Sequence, residues 1–245
     1  MYTPAERERL RAALLAAARA DPRITGGALT GSAAAGSEDQ WSDIDLAFGI
    51  GDGALFQEVL ADWTDRMYRD HGVLHHLDVP VGASIYRVFL LPSTLQVDLA
   101  FSPAAEFGAR APTFRLLFGS AAELARPPAP TASNLIGLGW LHALHARSCL
   151  ERGKLWQAEY MVSGVRDQAL ALACLRLGLP TSQGRGLDLL PAEVTAAAAE
   201  ALVRAIAADE LRRAFRVAID CLLSEISEVD ANLAARLERA VRELT

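Results

Sequence analysis

The stretch "SDIDLAFGI", residues 42–50, sets two aspartates one residue apart at the mouth of an apolar run. Strand alternation places Asp43, Asp45 and Ala47 on one face and Ile44, Leu46 and Phe48 on the other. The apolar face has an obvious destination in a core, whereas the paired carboxylates have none. At a separation of about 4 Å they repel by roughly 4 kcal/mol at an effective dielectric near 20, a cost that a divalent cation removes. A second segment, "TLQVDLAF" at residues 94–101, repeats the pattern, with Gln96, Asp98 and Ala100 facing opposite to Leu95, Val97, Leu99 and Phe101. If the two strands are neighbours on one core, Asp43, Asp45 and Asp98 converge. Such an all-oxygen donor set suits Mg²⁺, which completes its shell with water and substrate phosphate.

Upstream, "LTGSAAAGS" at residues 29–37 reads as a strand ending at Gly31 and Ser32, followed by a helix start. Free backbone N–H groups and a hydroxyl there make a cradle for phosphate. Lys154, in "ERGKLW", is the single lysine in a chain whose other basic residues are all arginine. It stands just after a glycine at the start of a helical segment, and a lysine retained alone in this way invites a specific role. Along that segment Glu159, Ser163 and Arg166 fall at i, i+4 and i+7, a polar stripe in which Glu159, with Asp167 beside it, is a candidate for holding a cationic substrate.

Taken together, "TGSAAAGSEDQWSDIDLAF" (residues 30–48) resembles the signature of the DNA polymerase β-like nucleotidyltransferase superfamily: Gly-Ser, then a Ser-Asp-x-Asp strand. The resemblance covers residues 24 to about 50 closely and extends loosely to about 120, with Asp98 in the place of the third carboxylate. The two-part layout looks most like the bacterial antibiotic nucleotidyltransferases, which attach AMP to a hydroxyl of an aminoglycoside or lincosamide. The resemblance implies ATP or another NTP as co-substrate and two Mg²⁺ ions on Asp43, Asp45 and Asp98. Gly31, Ser32, Ser42 and Lys154 would hold the nucleotide, and the acceptor would be small and cationic. Other acceptors remain open: a protein or RNA, such as tRNA or a partner toxin. So do a non-catalytic nucleotide-binding module and an interaction protein that dimerises through its helical half.

The elements that must position these residues are also legible. Thr3, Pro4 and Glu6 supply an N-cap, a proline in the first turn and a capping box for a helix reaching about Ala20. Strands are expected near 24–30, 43–50, 73–79, 83–91, 94–101 and 113–118, with a helix from about Ala54 to His71. "ARPPAP", Ala125–Pro130, cannot be helical and separates a nucleotidyltransferase domain (1–125) from a helical domain (131–245). The latter is a bundle of four or five helices, with breaks at Gly153, Gly178–Gly186, and near Asp209 and Ser227. The fold class is therefore α+β: a mixed sheet flanked by helices, then an all-α bundle.

Composition narrows the function further. A net charge of −6 argues against a nucleic-acid partner met through a broad basic surface and agrees with a cationic acceptor. No apolar run is long enough for a membrane span, and the amino terminus does not resemble a signal peptide, so a soluble cytoplasmic protein is expected. Cys149, Cys174 and Cys221 are expected as buried thiols. The five histidines are read as packing or surface residues, and Trp41 as a neighbour of the site.

Overall fold

The computed structural model describes residues 1–110, 112–125 and 128–245. The chain divides into two compact units, Met1–Pro127 and Pro128–Thr245. Arg126 and Pro127, in the expected proline-rich separator, lie outside the described residues.

The first unit begins with α1 (Pro4–Ala20), whose capping box is formed as the sequence dictates: Glu6 N donates to Thr3 Oγ1 and Thr3 N to the Glu6 carboxylate. There follow β1 (Ile24–Thr30), the short α2 (Gly31–Ala35), β2 (Ile44–Ile50), α3 (Phe56–His71), β3 (His75–Val81), β4 (Ser84–Leu90), β5 (Gln96–Pro103) and β6 (Phe114–Gly119). The six strands form one mixed sheet in the order β3-β4-β5-β2-β1-β6, in which β2 and β5 are the one neighbouring pair that runs parallel. Each predicted strand is present. β3 runs two residues further than the pattern suggests, because the turn at Gly82 and Ala83 pairs Val81 with Ser84. Pro80 is tolerated within β3 because this is an edge strand, where a missing N–H need not break a ladder.

One face of the sheet carries the core. Ile44, Leu46 and Phe48 of β2 and Val97, Leu99 and Phe101 of β5 join Leu14 and Ala18 of α1 and Val59, Leu60, Trp63 and Met67 of α3. Phe48, Trp63 and Phe101 form an aromatic trio with ring centroids 5.1–5.8 Å apart. The other face is lined by small residues: Ala28, Ala47 and Ala100 pack with Phe107. A Cβ on Gly49 would stand 2.9 Å from that ring, so the glycine lets it lie flat on the strand.

The second unit contains α4 (Ala132–Glu151), α5 (Leu155–Arg176), α6 (Ala192–Glu200), α7 (Ala208–Val229) and α8 (Ala231–Arg242). Gly153, at φ +67°, turns the chain between α4 and α5. Ala143, Ala146, Ala158 and Val162 of that pair meet Ala214, Phe215, Ala218 and Leu222 of α7 in one core. The break expected near Ser227 falls instead at Asp230, whose carboxylate accepts from Leu233 N at 2.9 Å and caps α8. A capping aspartate stops one helix and starts the next more firmly than a serine inside a helical run. Among the described residues no helix is long and apolar enough to cross a membrane.

Inside the helical unit Arg176 donates to both carboxylate oxygens of the buried Glu225 at 3.0–3.2 Å. Breaking such a pair from one side leaves an uncompensated charge, whereas replacing both partners by apolar groups does not. Arg176→Leu is expected to cost about 3 kcal/mol in urea denaturation, and Arg176→Leu/Glu225→Leu to recover most of it.

Candidate functional site

The parallel pairing of β2 with β5 sets Asp45 directly across from Asp98. Asp43 precedes the first residue of β2 and joins them, so that ligand oxygens of all three lie within 4.8 Å of one another, each residue being half-buried. The alternation seen in the sequence is the cause: both strands must turn Ile44, Leu46, Val97 and Leu99 into the core, and the carboxylates emerge together on the opposite face. Burial, reinforced by the nearby charge of Asp43, pushes the Asp98 carboxyl up to about 6, while Gln96 Nε2, donating to Asp98 Oδ1 at 2.9 Å, opposes the shift. Three half-buried carboxylates gathered this closely are a hard-oxygen donor set fit for a divalent cation.

Gly31 is fitted to this patch in two ways. Its φ of +58° lies in the left-handed region, and a Cβ there would overlap the Asp45 carboxylate. The chain therefore passes from β1 into α2 against the acidic group itself, with Ser32 next to it, half-buried in the first turn. Ser42 stands in the loop that leads into β2. Its hydroxyl donates to Asp39 Oδ1 at 3.0 Å and accepts from Asp39 N at 2.9 Å, so it builds the loop that delivers Asp43. Trp41, in the same loop, is 66% exposed.

That loop is clamped by residues the sequence reading did not single out. Arg7, only 5% exposed, donates through Nη1 to Asp39 O at 2.6 Å and Ser42 O at 2.8 Å, and Tyr2 Oη donates to Ser42 O at 3.0 Å. Arg11 bridges to Glu38 at 2.6 Å and also pairs with Glu8. The available signal was the stripe Arg7, Arg11, Leu14 and Ala18 at helical spacing, which forms the buried face of α1. An arginine on a buried stripe must find acceptors, and here they are the carbonyls of the loop before Asp43.

The other candidates belong to the second unit. Lys154 is exposed at the start of α5, with no side-chain cap. Glu159 accepts from Ser163 Oγ at 2.7 Å, and Asp167 pairs with Arg166 at 2.8 Å. The stripe foreseen along α5 thus exists, but its charges are engaged with their own helix neighbours. His76 lies on the α3 side of the sheet, its Nδ1 2.9 Å from Tyr68 Oη.

No family model matches the chain, and no curated protein matches it. Among solved structures, an aminoglycoside 6-adenyltransferase from Bacillus subtilis is similar, with a TM-score of 0.43 and 12% identity over 94% of this chain and 95% of that one.

The raised Asp98 pKa carries a sign. A carboxyl that holds its proton more tightly when folded favours the folded state below its unfolded value near 3.9, and that advantage is lost as pH rises through about 6. In EDTA, urea denaturation is expected to show wild type losing about 2 kcal/mol between pH 4 and 7 relative to Asp98→Asn. Added Mg²⁺ should close the gap.

Proposed function

We propose that this chain is a nucleotidyltransferase that moves a nucleoside monophosphate, AMP from ATP, onto a hydroxyl of a small acceptor. The convergence of Asp43, Asp45 and Asp98 across a parallel strand pair, beside a glycine-opened turn, carries this reading. It gives a physical reason for the resemblance in "TGSAAAGSEDQWSDIDLAF": gathered carboxylates of this kind suit a cation and a polyphosphate that share the charge.

Asp43 and Asp45 would hold Mg²⁺, with Asp98 completing the set. Bound there, the metal would neutralise triphosphate charge and acidify the acceptor hydroxyl. The acceptor oxygen attacks the α-phosphorus, the bond to the bridging oxygen of the β-phosphate breaks, pyrophosphate leaves, and the hydroxyl proton passes to the Asp98 carboxylate. Asp98 stands directly across the strand pair from Asp45, beside the metal position, where an acceptor hydroxyl would come within its reach. Gly31 and Ser32 would offer the phosphates a backbone N–H and a hydroxyl. Lys154, from the helical unit, would add a mobile positive charge to them. Glu159 and Asp167 would grip a cationic acceptor only by giving up Ser163 and Arg166.

The direct test is incubation with Mg²⁺ and α-labelled ATP across aminoglycosides, lincosamides, neutral hydroxyl compounds, RNA and proteins, following where the label goes. Asp43→Asn and Asp45→Asn should each lower kcat at least about 10²-fold with an unchanged circular dichroism spectrum. Near-normal turnover by either would refute the assignment. Lys154→Ala should raise KM for ATP about tenfold, equivalent to roughly 1.4 kcal/mol of lost binding, and leave kcat within a factor of a few. Lys154→Arg should restore only part of it.

A further inference from the structure

The sheet face that bears the carboxylates does not end at Asp98. The register carries a row from Asp45 through Asp98 to Val88 on β4 and Leu77 on β3. The next row runs Ala47, Ala100, Tyr86, Val79, and Val81 and Leu90 extend the same face along β3 and β4. The opposite sides of these two strands are accounted for: Phe89 is in the core, His76 packs on Tyr68 and Phe89, and Asp78 pairs with Arg87. On the carboxylate side, however, Leu77 is 61% exposed, and Val79, Val81 and Leu90 are also exposed, with Tyr86 and Val88 half-buried between them and the acids. Apolar side chains gathered this densely on one exposed face mark a binding surface. This one begins one strand from the residue that receives the acceptor's proton, and two strand spacings, roughly 10 Å, take it from Asp98 to Leu77.

Charge sharpens the choice of occupant. On this face of β3, β4 and β5 the residues are His75, Leu77, Val79 and Val81, then Ser84, Tyr86, Val88 and Leu90, then Gln96, Asp98, Ala100 and Ser102. Asp98 is the one carboxylate among them, and the cation and the acceptor's proton already claim it. A polycation seated here would find no further anion on these strands and would cover hydrocarbon with its charged groups, at a desolvation cost. We propose that the acceptor is an uncharged hydroxyl compound with an apolar body, its hydroxyl at Asp98 and its body lying on Val88, Tyr86, Leu77 and Val79. This names the acceptor class for the nucleotidyl-transfer reading and rests on it.

Alkyl β-glucosides below their micelle concentrations serve as probes, with neamine as the polycationic control. Binding is followed by calorimetry on the full chain with Mg²⁺ and α,β-methylene-ATP, which cannot transfer. Affinity should rise about fourfold from butyl to hexyl and again to octyl, the gain for two half-buried methylenes per step, and should exceed that of neamine. Leu77→Thr/Val79→Thr, which keeps strand-favouring residues at exposed positions, should flatten the series to under twofold per step with nucleotide affinity unchanged. A flat series in wild type, a variant that keeps the slope, or tighter binding of neamine would overturn the acceptor class while intact nucleotide binding left the transfer reading standing. A variant that turns a dimer into a monomer without altering the series would assign this face to a second copy of the chain and equally overturn it. Absence of nucleotide binding would remove both readings.

Discussion

Three carboxylates held within 4.8 Å of one another, on a surface that hides them partly from water, form an arrangement that resists its own assembly. The structure around them supplies what holds it. The opposite sides of β2 and β5 are locked into the aromatic and aliphatic core with α1 and α3, so neither strand can slip register without exposing that core. Gly31 brings backbone against Asp45 where a side chain could not fit. Arg7 and Tyr2 tie down the carbonyls of the loop that ends at Asp43. The cost of partial burial, with a smaller part from the charge of Asp43, is visible in Asp98, whose carboxyl is pushed up to about 6.

Most of the first unit was legible because its signals are local. Alternation in "DIDLAF" and "VDLAF" told both the faces and the core, and the Thr3–Glu6 box told where α1 starts. What sequence could only suppose was adjacency: nothing in either segment says that β5 lies beside β2 and not beside β1, and that choice decides whether the aspartates meet. Arg7 and Arg11 escaped notice because an arginine on an amphipathic helix reads as solvated until its acceptors, some 30 residues away, are seen. The Ser42 hydroxyl also serves the Asp39 turn, a short-range hydrogen bond that residue type alone does not announce.

Overall charge was a coarser guide than local surface. A net charge of −6 pointed to a cationic acceptor, but it sums acids spread over the whole chain. Many of them are spent on arginines: Asp21 on Arg23, Asp78 on Arg87, Asp167 on Arg166, Glu225 on Arg176. On the side of Asp98 away from Asp45, the surface is set by what β3 and β4 turn outward, chiefly valine, leucine and tyrosine. The count of charges and the chemistry of one face are separate quantities, and only the second describes what lies beside Asp98.

The parallel pairing of β2 and β5 also orders the way the chain comes together. β3 with β4 closes through the Gly82–Ala83 turn and β1 with β2 through a connection that contains α2, whereas Asp45 and Asp98 are 53 residues apart and meet only when the two halves of the sheet join. Asp98 is thus kept apart from Asp43 and Asp45 while the local pairings form, and its repulsion with them falls in the closing step. A cation in the medium would act on that step above all others, so ionic composition bears on how quickly the sheet zips shut as well as on what the finished surface can do.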